Sequence, residues 1–114
     1  MNTLILGALA EPNRLRIVEL LRDGPRPVGE IAERLSLRQP QVSKHLRVLL
    51  SAGIVEVRPI AQQRVYQLQA QSFEELGTWV DTFHQVWENR LDALDKYLHE
   101  VQTSQPNRGG QKKE

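Results

Sequence analysis

Cysteine is absent from this chain of 114 residues, which rules out disulfides and thiolate metal sites outright. Long apolar runs are absent too. None approaches the roughly 18 residues that a membrane span needs, so no membrane partner is expected. The opening Met1-Asn2-Thr3-Leu4-Ile5-Leu6 lacks a basic n-region and does not read as a signal peptide. A cytoplasmic protein is the expectation. There is no glycine-rich phosphate loop, and Ser36, Ser43, Ser51 and Ser72 have no nucleophile-elbow sequence around them. With no catalytic constellation and no cofactor motif, the chain does not read as an enzyme.

What is present is helical amphipathicity. Hydrophobic residues make up 39% and charged residues 25% of the chain, the balance of a soluble globular protein. At this length it is one small domain with a modest core, and it stands to gain from a partner subunit. Leu4, Ile5, Ala8 and Leu9 make a short apolar helix. Pro12 opens the next, with Glu11 at its cap, and Leu15, Ile17, Val18, Leu20 and Leu21 give it a core face before Gly24-Pro25 stops it. Arg14 and Arg16 fall on its outer side, either solvated or within reach of phosphates.

The chain is organised around Pro27 to Arg47. Val28, Ile31, Ala32 and Leu35 recur at helical spacing, with Glu30, Glu33 and Arg34 on the opposite face. In a second helix Val42, Leu46, Leu49 and Leu50 form the inward stripe, and Gln39, Gln41, Lys44, His45 and Arg47 are left outside. Pro40 falls in the first helical turn, where its missing N–H costs nothing, and Gly53 supplies the left-handed residue that ends the helix. Ile54 to Arg58 and Arg64 to Leu68 then alternate as two strands around the connection Pro59 to Gln63. A hairpin appended to a helix-turn-helix is the order of a winged helix.

Here the runs Leu9-Ala10-Glu11-Pro12-Asn13-Arg14, Val28-Gly29-Glu30-Ile31-Ala32, Gln39 to Leu49 and Ala52-Gly53-Ile54-Val55 are similar to the ArsR family of bacterial winged-helix repressors. The resemblance runs from about Leu4 to Leu98 and is most specific at Ser43-Lys44-His45-Leu46 with Gly53. It implies a mainly α fold with a small β-hairpin, dimeric through the first and last helices. The family's cysteine-based site is missing, so the chain resembles a cysteine-free branch. Relatives commonly have Ser at the recognition helix N-cap, where this chain has Arg38, and the wing here has neither glycine nor a basic cluster.

Charge divides along the same boundary. Gly24 to Arg64 carries seven Lys or Arg against three Glu, a net of +4, and Val65 to Thr103 carries two against seven acidic residues, a net of −5. The basic part is the part that would face phosphate. Beyond the hairpin, Ser72-Phe73-Glu74-Glu75 reads as a capping box, with Ser72 as N-cap. Phe73, Leu76, Val80, Phe83, Trp87, Leu91, Leu94, Leu98 and Val101 then follow at steps of three or four. So long an apolar stripe exceeds what a small domain covers alone. Leu4, Ile5, Leu9, Phe83, Trp87, Leu91, Leu94 and Leu98 are the expected dimer interface, in which Trp79, Phe83, Trp87 and Leu6 either simply pack or line a small pocket. The domain is read as 1–103 and a disordered tail as 104–114.

His84 and His99 do not match the histidine–carboxylate spacing of metal-sensing relatives, and no metal is expected. The reading is a homodimeric, sequence-specific transcriptional regulator, a repressor on an inverted repeat of double-stranded DNA. The candidate DNA-binding residues are Arg38, Gln39, Gln41, Ser43, Lys44, His45, Arg47, Arg58, Gln63 and Arg64. Gln39, Gln41 and Ser43 suit base edges, and the others suit phosphates. For His45 a local hydrogen bond stands beside DNA contact. The competing readings are a metal-responsive repressor using His and carboxylate ligands, and a winged-helix module that binds protein. The inducer is not legible.

Overall fold

A computed structural model describes residues 1–104. Five helices and three strands follow one another as α1 (Thr3–Leu9), α2 (Pro12–Leu21), β1 (Arg26–Pro27), α3 (Val28–Leu35), α4 (Gln39–Ser51), β2 (Val55–Ile60), β3 (Gln63–Leu68) and α5 (Ala70–Ser104). The helix ends follow from short polar cues. Asn2 caps α1 by accepting the Leu4 N–H at 2.8 Å, and Glu11 caps α2 by accepting the Arg14 N–H at 2.8 Å. Arg38 stands at the N-cap of α4 with no side-chain cap bond. At the other end Gly53, with φ +76°, sits beyond Ala52. Ile54 N–H then reaches Leu49 C=O and Gly53 N–H reaches Leu50 C=O, both at 3.0 Å, which closes the helix as a Schellman motif.

The sheet has the order β1-β3-β2, all antiparallel. The hairpin is therefore joined by a third strand, Arg26↔Tyr66 and Pro27↔Val65, which two residues without alternation do not announce. The wing connection is shorter than the expected five residues. Ile60 pairs with Gln63, and only Ala61 and Gln62 turn the corner, at φ +48° and +68°. Two positive φ angles in a two-residue loop make a type I′ turn, which ordinarily takes Asn-Gly. For L residues with a Cβ this region costs about 1–2 kcal/mol each. Ala61→Asn with Gln62→Gly is thus expected to stabilise the protein by about 1 kcal/mol. Thermal unfolding would show it as a rise of roughly 4 °C or more, and an unchanged Tm would contradict the strained turn.

The core lies among α1 to α4 and the base of the sheet. Ile17, Ile31, Val42, Leu46, Leu49, Ile54 and Val55 are fully buried, and Ile5, Ala8, Val18, Leu21, Ala32 and Tyr66 complete the cluster. Ile5 was expected at a dimer interface, but it is only 3% exposed within its own chain, because α1 turns Ile5 and Ala8 inward and leaves Leu4 out. Leu9 packs against the same core. Leu15, expected in the core face of α2, is exposed. Ser72 is not an N-cap either. It lies inside α5, which starts at Ala70, and its hydroxyl donates to the carbonyl of Gly53.

The chain divides into two compact units, Met1–Leu76 and a second that begins at Gly77. The second unit is the remainder of α5. Along it Val80, Phe83, Trp87, Leu91, Leu94 and Leu98 are exposed, and Trp79 meets Phe83 edge to face with ring centroids 5.1 Å apart. Val80, Trp87, Leu94 and Val101 recur every seven residues, as do Leu91 and Leu98, a spacing suited to helix pairing. The expected tail 104–114 lies outside the described residues, apart from Ser104 at the end of α5. No helix among the described residues is long and apolar enough to cross a membrane.

Candidate nucleic-acid interface

Helix α4 sets the site. With Val42, Leu46 and Leu49 buried against the core, helical geometry puts Gln41, Ser43, Lys44 and Arg47 outside, and all four are exposed. Thirteen residues span about 20 Å, and such a helix enters a groove about 12 Å wide. Arg38, Pro40, Gln41, Lys44 and Arg47 line one shallow groove along its outer side. A second groove brings Ser43 and Arg47 to Arg64 and Tyr66 of β3, over Val28 and Leu50. A third joins Gln39 to Gln62, Gln63 and Arg64 of the wing and to the start of α3. Arg47 belongs to the first two grooves and Arg64 to the last two, so the three form one continuous polar surface.

Eight sequence candidates therefore meet on one surface: Arg38, Gln39, Gln41, Ser43, Lys44, Arg47, Gln63 and Arg64. Two stand apart. Arg58 is exposed on β2, but its guanidinium lies 3.8 Å from the Glu56 carboxylate, which offsets its charge. His45 is turned away from the outer face. Its side chain is 15% exposed and its Nδ1 lies 3.9 Å from Oε1 of Glu11. Accepting the Arg14 N–H holds the Glu11 carboxyl below its ordinary value, with His45 adding in the same direction against the opposing effect of desolvation. Glu11 is therefore ionised at neutral pH.

Arg14, half-buried, and Arg16, exposed, are also bonded within their own chain. Arg14 Nε donates to the Ala8 carbonyl at 2.7 Å, and Arg16 Nη2 donates to the Leu35 carbonyl at 3.0 Å. Each places a cation on the last turn of a helix, where the dipole favours it. Gln62 and Arg34 line the third groove without having been singled out from the sequence. A two-residue turn would have drawn attention to Gln62, whereas Arg34 depends on how α3 packs beside the wing. Gln39 covers the start of α3 closely, its Nε2 lying 3.1 Å from where a Cβ on Gly29 would stand. Glu30 pairs with Arg26 and lies 3.6 Å from Arg34, which tempers the basic charge at this end. Among the described residues, no three His, Asp or Glu side chains are grouped so as to hold a metal ion.

Known proteins share this fold. Residues 9–58 match the family model described as a helix-turn-helix domain. The chain is 46% identical over 76 residues to the HTH-type transcriptional regulator Rv2034 of Mycobacterium tuberculosis, an alignment covering 67% of this chain and 71% of that protein. The crystal structure of the ArsR family transcriptional regulator RHA00566 superposes with a TM-score of 0.67 at 26% identity, over 75% of this chain and 94% of that one. The solution structure of the homodimeric winged helix-turn-helix DNA-binding domain Mb0332 from Mycobacterium bovis, a possible ArsR-family regulator, gives a TM-score of 0.62 at 29% identity. That superposition covers 73% of this chain and 77% of that one.

Proposed function

Because the chain belongs to the ArsR family of winged helix-turn-helix transcriptional regulators, we propose that it acts as a homodimeric repressor. Each protomer lays residues 39 to 47 into a major groove of an inverted repeat. The observation that carries this reading is the continuous polar surface over α4 and the wing, on which Gln41, Ser43, Lys44, Arg47 and Arg64 meet. Gln41 and Ser43, on the two flanks of the outer face of α4, are the proposed readers of base edges, with Gln39 at the wing side. Gln offers adenine a bidentate amide, and Arg38, Lys44, Arg47 and Arg64 neutralise phosphates on either side. Gln63 adds an amide to the sugar-phosphate chain. Exposed Leu4 and the exposed stripe Phe83, Trp87, Leu91, Leu94 and Leu98 on α5 are the proposed dimer contacts; that the related Mb0332 domain is homodimeric supports pairing as such. Occupying a promoter in this way excludes the polymerase.

Hydroxyl-radical footprinting on the DNA upstream of its own gene tests the arrangement. Two protected patches about 34 Å apart, one helical turn, are expected on a two-fold symmetric sequence. A single protected patch would contradict the symmetric dimer.

A further inference from the structure

His45 sits within the recognition helix yet faces its own protein. It follows Val42 by three residues and precedes Leu49 by four, so it borders the buried stripe on the side that meets the N-terminus of α2. There its Nδ1 is 3.9 Å from Glu11 Oε1, and the same oxygen accepts the Arg14 N–H at 2.8 Å. Arg14 in turn donates from Nε to the Ala8 carbonyl at 2.7 Å. Hydrogen bonds thus join the last turn of α1 to the cap of α2, and His45, in the middle of α4, lies 3.9 Å from the carboxylate that makes that cap. We infer that His45 is a positioning residue, which with Glu11 and Arg14 fixes the rotation of α4 about its own axis and thereby the aim of Gln41 and Ser43.

The inference rests on the DNA-reading function proposed above. Physically, α4 acts as a lever arm. A helix with side chains is about 10–12 Å across, so a rotation of about 10° moves a side-chain tip by about 1 Å. Hydrogen bonds to base edges hold over only a few tenths of an ångström and weaken steeply off axis. Attraction between a guanidinium and a phosphate falls slowly with distance and tolerates the same shift. Loosening the Glu11–His45 pair therefore reduces recognition of the operator and leaves binding to random DNA almost as it was. The gain for the protein is that α1, whose Leu4 lies exposed on the same helix as Ala8, is tied to the reading helix.

Fluorescence anisotropy with operator and random duplexes, on wild type, Glu11→Gln, His45→Ala and the double variant, decides the matter. Glu11→Gln keeps an oxygen to cap α2 and removes only the charge, and thermal melts confirm that each variant is folded. Each single variant is expected to lose about tenfold on the operator, with random-DNA affinity within about twofold and the salt slope unchanged. The double variant should lose the same tenfold, because both changes break one interaction. A roughly hundredfold loss in the double variant would overturn the inference. So would a loss confined to His45→Ala that extends equally to random DNA, since that is the mark of a direct phosphate contact. A wild type with no operator preference would refute the proposed function itself, and this inference with it.

Discussion

Leu94→Asp is expected to convert the dimer to monomer or aggregate at micromolar concentration. Leu94 is exposed on α5, seven residues from Trp87 and Val101, in the stripe proposed to pair two protomers. An aspartate there places a carboxylate on each side of an apolar seam. A charge left unpaired in such a place costs several kcal/mol, counted twice in a symmetric dimer. A dimer in the nanomolar range has about 12 kcal/mol in all, so the loss is decisive. Light scattering at a series of concentrations measures it. A Leu94→Asp protein that remains dimeric would place the interface elsewhere, and exposed Leu4 and Val48 around the groove between α1 and α4 would be the next surface to test.

Much of the fold was legible because its cues are local. Pro12 after Glu11, Pro40 early in its helix and Gly53 beyond α4 each mark a helix end by what their backbone allows, and all three stand where expected. The inward stripe Val42, Leu46 and Leu49 is buried as its period requires. The misreadings have tertiary causes. Ser72 carries the pattern of a capping box, yet its hydroxyl is taken by the Gly53 carbonyl and α5 begins two residues earlier. Pro59 and Ile60 read as loop, but β2 is an edge strand and an edge tolerates proline. Ile5 is drawn inward by the packing of α1 on the core, and Leu15 lies outside the arc of α2 that Ile17, Val18 and Leu21 bury.

The candidate site was legible for a similar reason. The residues of α4 that periodicity points outward are the ones the grooves bring together, with Arg64 joining from the wing. His45 shows where that logic stops. Helical phase puts it at the edge of the outward face, and in the folded chain its side chain is largely covered and lies beside Glu11, far away in the sequence. Arg14 and Arg16 are the same lesson in reverse, since basic residues on an outer face can be consumed by carbonyls of neighbouring helices.

If the outward face of α4 reads bases while its basic neighbours hold phosphates, Gln41 and Arg47 must respond differently to substitution. Affinities of Gln41→Ala and Arg47→Ala for operator and random DNA, over a range of salt, test this most directly. Gln41→Ala is expected to lose about 1–3 kcal/mol on the operator, because a bidentate base contact carries that much discrimination, and almost nothing on random DNA. Arg47→Ala should weaken both DNAs and flatten the log–log salt slope by about one for each phosphate it no longer neutralises. If both substitutions weaken operator and random DNA alike, with Gln41→Ala leaving the specificity ratio untouched, α4 does not read the sequence.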